Sequence, residues 1–75
     1  MADKAGKVEH YDKRFGIIAI EKGYISPEDL IDGLKTQVEE DIRNNAHRLI
    51  GEILVEKGRM TLSQVNDVVA EIFSG

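Results

Sequence analysis

A chain of 75 residues without cysteine is sized for one small domain, held together without disulfides or thiolate-bound metal. Its formal net charge is −4, with acid and base interleaved, so it lacks the concentrated basic face of a general nucleic-acid binder. No apolar run reaches membrane-spanning length, and Met1–Lys7 lacks the apolar stretch of a signal peptide, which makes the cytoplasm the expected compartment.

Residues 1–11 are polar, include Gly6 and show no apolar period; they read as a flexible leader. A single helical domain is expected over 12–75. Its first helix opens near Asp12, where Phe15, Ile18, Ala19 and Lys22 follow helical spacing and Ile17 and Ile20 widen the apolar face. A strand over Ile17–Ile20 is the competing reading. Lys22-Gly23 decides for helix, because a cation in the last turn followed by glycine at the left-handed position is a helix stop.

The second helix starts at Ser26. Ser26 is a natural N-cap, Pro27 sits at the first helical position, and Asp29 completes a capping box. Leu30, Leu34, Val38 and Ile42 then form a stripe with Ile31 beside it, and Asn44-Asn45 marks a break. A third helix is expected from about Ala46, carrying Leu49, Ile50, Ile53 and Leu54 and stopping at Lys57-Gly58. Thr61 and Gln64 form a second capping box, and Leu62, Val65, Val69, Ile72 and Phe73 make the last stripe.

These elements are one unit written twice. Phe15–Ser26 returns as Ile50–Thr61, with Gly16 on Gly51, Gly23 on Gly58, Leu30 on Val65, Asp32 on Asp67 and Leu34 on Val69. Repeat one spans 14–37 and repeat two 49–72. A unit of this length cannot bury its apolar face alone, so the copies are expected to pack on each other. The fold class is all-α: two helix–Gly turn–helix repeats in a small bundle, sharing a core of Phe15, Ile18, Leu30, Leu34, Ile50, Ile53, Leu54, Val65, Val69 and Ile72.

Catalytic patterns are lacking. There is no phosphate-cradling G-x-x-x-x-G-K-[ST] loop. His10 and His47 are the only histidines and make a poor metal set without cysteine. Ser26, before Pro-Glu-Asp, reads as a cap rather than a nucleophile. The run Glu39-Glu40-Asp41 points in different directions on a helix and reads as a solvated face. Asp12 and the other aspartates do not cluster by spacing. Neither an enzyme nor a cofactor is expected. The short turns resemble helix-turn-helix turns, but helix starts reading Pro27-Glu28-Asp29 and Leu62-Ser63-Gln64 suit DNA poorly, leaving a DNA binder as a minor alternative.

Arg14-x-Gly16-x-x-Ala19-Ile20-x-x-Gly23, followed by Leu30, Leu34 and Gln37, resembles the motif of the N-terminal domain of type II secretion and type IV pilus-assembly ATPases. That motif runs R-L-G-x-x-L-V-x-x-G, a spacer, then L, L and Q. The second copy, Gly51–Gly58, matches its middle more closely, and the resemblance covers Arg14 to Ile72. It implies a helical module that docks protein partners of a secretion, pilus or signalling system, standing here without its ATPase.

A subset of the family binds cyclic di-GMP with two tandem copies. By resemblance, ligand contacts would fall on Arg14, Gly16, Ala19, Ile20, Gly23, Leu30, Leu34 and Gln37, and on Gly51, Leu54, Val55 and Gly58, with Val65 and Val69 beyond. A guanine base wants a flat apolar surface with a guanidinium or amide at its edge. Phosphates want backbone N–H groups and arginine. The second copy departs from the pattern: Leu49 holds the Arg position, with Arg48 turned about 100° away on a helix, and Ile72 holds the Gln position. A non-catalytic protein-interaction or regulatory module is therefore the leading expectation, and a cyclic di-GMP receptor the alternative.

Overall fold

The computed structural model describes residues 2–45 and 48–74, with side chains from His10 onward among them. Four helices follow in chain order: α1 Ala2–Glu21, α2 Pro27–Asn44, α3 Ile50–Glu56 and α4 Leu62–Ser74. The described residues contain no strand, so the Ile17–Ile20 run is helical.

Each repeat stops its first helix in the same way. Gly23 has φ +80° and Gly58 φ +76°, a region open to glycine and strained for other residues. Around them the hydrogen bonds superimpose. Gly23 N–H donates to Ile20 O and Tyr24 N–H to Ala19 O, while Gly58 donates to Val55 O and Arg59 to Leu54 O. This is the Schellman arrangement, which satisfies carbonyls that the helix end would leave orphaned. The next helix then opens on a reciprocal capping box. Asp29 N–H donates to Ser26 Oγ and Ser26 N–H to Asp29 Oδ2, and Thr61 and Gln64 exchange the same two bonds. Ile25 and Met60, one residue before the caps, are both buried.

Two starts differ from the sequence expectation. α1 begins at Ala2 rather than near Asp12. Ala, Lys, Glu and Val continue a helix that has nothing to stop it, and one Gly6 costs only about 1 kcal/mol. In repeat two the helix begins at Ile50, and the expected start at Ala46 lies outside the described residues. α2 ends as read, with Asn45 in the left-handed conformation at φ 53°.

The copies pack on each other. α1 lies on α4 and α2 on α3, so each pairs with the other repeat's complementary helix, and α1 also meets α3. Phe15, Ile50, Ile53, Leu54 and Val68 are fully buried, with Ile18, Ala19, Ile25 and Met60 beside them. Leu30, Leu34, Val65, Val69 and Ile72 are half-buried at the margin.

The expected stripe along α2 does not stay in the core. Val38 is 54% and Ile42 78% exposed. Steps of four residues advance about 400° around a helix, so the stripe drifts roughly 40° per step. Gly33 and Gln37 take the inward line instead. Gly33 makes room for repeat two: a Cβ there would lie 2.9 Å from Ile50 Cδ1 and 3.2 Å from Leu54 Cδ2. On α4 the fully buried residue is Val68 rather than Val69, while Leu62 and Phe73 are exposed.

Candidate functional site

Two polar residues break the core, and both lie on apolar helix faces. Asp12 shares its face with Phe15 and Ala19, and Gln37 shares its face with Leu30 and Gly33. Both are buried. Gln37 Nε2 donates to Asp12 Oδ2 at 2.8 Å and to Arg48 O at 2.8 Å. The other Asp12 oxygen accepts from Ile50 N–H at 3.4 Å.

The sequence explains why α3 needs this help. Its N-cap position holds Leu49, which has no side-chain oxygen. Only half of a capping box forms there, through Glu52 Oε1 accepting from Leu49 N–H. Asp12 therefore caps α3 from the other repeat, and its negative charge suits the helix N-terminus. Such a network is costly to leave incomplete, and no buried side-chain nitrogen or oxygen among the described residues lacks a partner.

Arg48, the residue beside the family's Arg position in copy two, is held by ion pairs within the chain. Its guanidinium makes a fork with Glu40, Nε to Oε1 at 2.9 Å and Nη2 to Oε2 at 2.5 Å, and Nη2 also reaches Glu56. These bonds hold Glu40 below the ordinary carboxylate range and raise Arg48 still further. Arg59 faces Asp29 at 3.6 Å.

The residues that the family resemblance assigns to a ligand occupy three environments. Ala19 and Leu54 are fully buried, and Gly16, Gln37 and Gly51 are buried as well. The two helix glycines serve packing: a Cβ at Gly16 would lie 2.6 Å from Leu30 Cδ2, and one at Gly51 3.0 Å from Phe15 Cζ. Ile20, Leu30, Leu34 and Val55 are half-buried against the core. Arg14, Gly23 and Gly58 are exposed. The structure buries Asp12 against Gln37, a partner that its spacing from the other aspartates does not show. The spacing of Asp12 and Gln37 on apolar faces was the signal that could have paired them.

A second place stands out on the outer face of α2. Ile31 is 58% exposed and, with Val38 and Ile42, lies at i, i+7 and i+11 on one side of the helix. Leu34, Lys35 and Glu39 complete a shallow groove of about 390 Å³ with Ile31 and Val38. Repeat two keeps only part of this face. One repeat on, Ile31 becomes Asn66 and Lys35 becomes Ala70, while Val38 becomes Phe73, which is also exposed.

The described residues contain no group of three or more His, Cys, Asp or Glu placed to hold a metal ion, and no helix among them is long and apolar enough to cross a membrane. No protein-family model, curated protein or solved structure matches the chain.

Proposed function

We propose that this chain is a non-catalytic protein-interaction module, as the resemblance to secretion and pilus-assembly ATPase N-domains implies. The observation that carries the reading is the exposed stripe Ile31–Val38–Ile42 on α2. Scattered exposed apolar residues are ordinary; several aligned on one helix and flanking a groove mark a docking surface. Ile31, at one end of the stripe, has no apolar counterpart in repeat two, where Asn66 takes its place.

The cyclic di-GMP reading has less support. Copy one keeps Arg14 exposed, but both Gln37 amide hydrogens are engaged by Asp12 and Arg48. Copy two offers Leu49 and Ile72 at the matching positions. A ligand would have to break buried hydrogen bonds to reach Gln37. For DNA, the α2 start offers the acids Glu28 and Asp29.

The test is capture from host cells with tagged wild-type chain and Val38→Asp, followed by cross-linking. A protein partner retained by wild type and lost by the variant is the expected result. Identical recovery by both chains would remove the α2 face as the docking surface. A parallel titration with cyclic di-GMP, followed by amide shifts, is expected to show no saturation below millimolar ligand. Saturable shifts of equal size around Gly16 and Gly51 would install the receptor reading instead.

A further inference from the structure

We propose that the α2 face is a self-association surface, on which a second copy of this chain docks its own α2 antiparallel to the first. The inference rests on the interaction reading above and names the occupant of its surface.

The argument is complementarity of the face with itself. Its apolar anchors stand at both ends, Ile31 and Ile42, with Val38 between them, all exposed. Lys35 and Glu39 are exposed neighbours one helical turn apart along one edge of the same groove. Consider a two-fold axis perpendicular to α2, passing between residues 36 and 37. Rotation about it sets Ile31 against the second copy's Ile42, and Ile42 against the second copy's Ile31. The same rotation keeps each charged edge on its own side and reverses its direction. Lys35 then falls beside the second copy's Glu39, and Glu39 beside the second copy's Lys35. One patch supplies both halves of an isologous contact, as two-fold symmetry requires. A parallel two-fold arrangement would place the two charged edges on opposite sides of the seam, so neither pairing would form.

Asp32 is bound to Lys57 and Glu40 to Arg48 within the chain, and Lys35 also lies near Asp32. α2 runs 18 residues, and its last turn carries Ile42. Eighteen residues span roughly 27 Å. A contact made by one helix of this length per partner falls at the small end of specific interfaces, so the dimer is weak.

Sedimentation velocity between roughly 10 µM and 1 mM covers a weak-association range. The wild-type chain is expected to shift from monomer to dimer mass across it. Val38→Asp is expected to stay monomeric at all concentrations. Its circular dichroism should match wild type, because Val38 lies outside the core.

The charge edge gives the sharper measurement. Lys35→Glu and Glu39→Lys, each alone, place like charges across the axis and are expected to weaken dimerisation at least about ten-fold. An equimolar mixture of the two pairs an acidic edge with a basic edge and is expected to restore association. A wild-type chain that is monomeric throughout would overturn the proposal, as would single variants that dimerise like wild type or a mixture that fails to recover. Partner capture separates this inference from the reading beneath it. A monomeric wild type whose partner capture still depends on Val38 sinks the dimer and leaves the docking surface standing. A dimer lost in Val38→Asp with partner capture intact sustains the dimer and removes the docking of other proteins there.

Discussion

Gln37 and Asp12 come from different helices, 25 residues apart, and meet inside the protein through a 2.8 Å hydrogen bond. The bond joins α1 to α2. Through the other Asp12 oxygen and Ile50 N–H, it also ties both to the start of α3. A side chain that caps another repeat's helix makes the two copies depend on each other.

Removing that cap should be expensive. Asp12→Ala leaves Gln37 Nε2 and Ile50 N–H each short of an acceptor, and a buried unsatisfied donor costs about 1–3 kcal/mol. Asp12→Asn should recover little, because its amide nitrogen turns one of the two acceptor positions into a donor. Urea melts check both variants. A loss under about 0.5 kcal/mol for Asp12→Ala, the range of an ordinary surface change, would show that the network contributes nothing to stability.

The two glycine stops should respond alike. Gly23→Ala and Gly58→Ala each force a Cβ into the left-handed region and should destabilise by about 1–2 kcal/mol. Asparagine tolerates that region better and should cost less at both positions. Neither site has an atom within 4 Å of the added Cβ, so the loss would report backbone strain alone. Equal melting temperatures for wild type and alanine variants would contradict the turn geometry.

Truncation should separate the core from the outer face. Ile53 is fully buried, and Ile53→Ala should cost about 2–5 kcal/mol. Leu34→Ala, at the half-buried margin, should cost less. Ile42→Ala should fall within about 0.5 kcal/mol of wild type, because Ile42 touches solvent rather than core. A large loss at Ile42 would mean that the stripe stabilises the folded monomer.

Acid and alkali should each weaken the fold. Hydrogen bonds from Lys57, from Arg48, and from Tyr24 with Lys22 hold Asp32, Glu40 and Asp67 respectively below the ordinary carboxylate range. Their stabilisation is complete above the unfolded carboxylate values, near 4, and is lost as pH falls through the lower folded values. On the alkaline side Lys22 is raised by its bonds to Glu71 and Asp67, and Tyr24 by its bond to Asp67. That part is present below about pH 10 and is lost as pH rises through the raised folded values. Melting temperatures across pH check both limbs. Salt near 1 M should flatten them, because these groups lie at the surface and the screening length falls to roughly 3 Å. A profile that is flat at low salt would remove the ion pairs from the stability account.

The cross-repeat ion pairs show how duplication becomes architecture. Lys22 reaches Asp67 at 3.3 Å, and its counterpart Lys57 reaches Asp32, the counterpart of Asp67, at 3.1 Å. Each repeat's stop lysine thus bonds the other repeat's second helix. A double-mutant cycle should find each pair weak, as for other exposed pairs. A coupling energy near zero for both would show that they mark the symmetry without stabilising it.

Local chemistry was legible from the sequence because it acts over a few residues. Lys-Gly stops, Ser-Pro-Glu-Asp and Thr-Leu-Ser-Gln starts, and the repeat itself determined helices, turns and an all-α bundle in which the copies pack together. What lay beyond that reach was decided by packing. A four-residue stripe cannot say where its drift carries Val38 and Ile42 out of the core; the position of α3 against Gly33 and Gln37 settles that. Nor can spacing along one helix reveal that Asp12 caps Ile50 from the other repeat, because the bond exists only once α1, α2 and α3 have converged. The sequence determined the repeated unit, since capping and backbone strain are local. The tertiary structure decided which polar residues were enclosed and which apolar ones were left outside, since burial depends on all four helices at once.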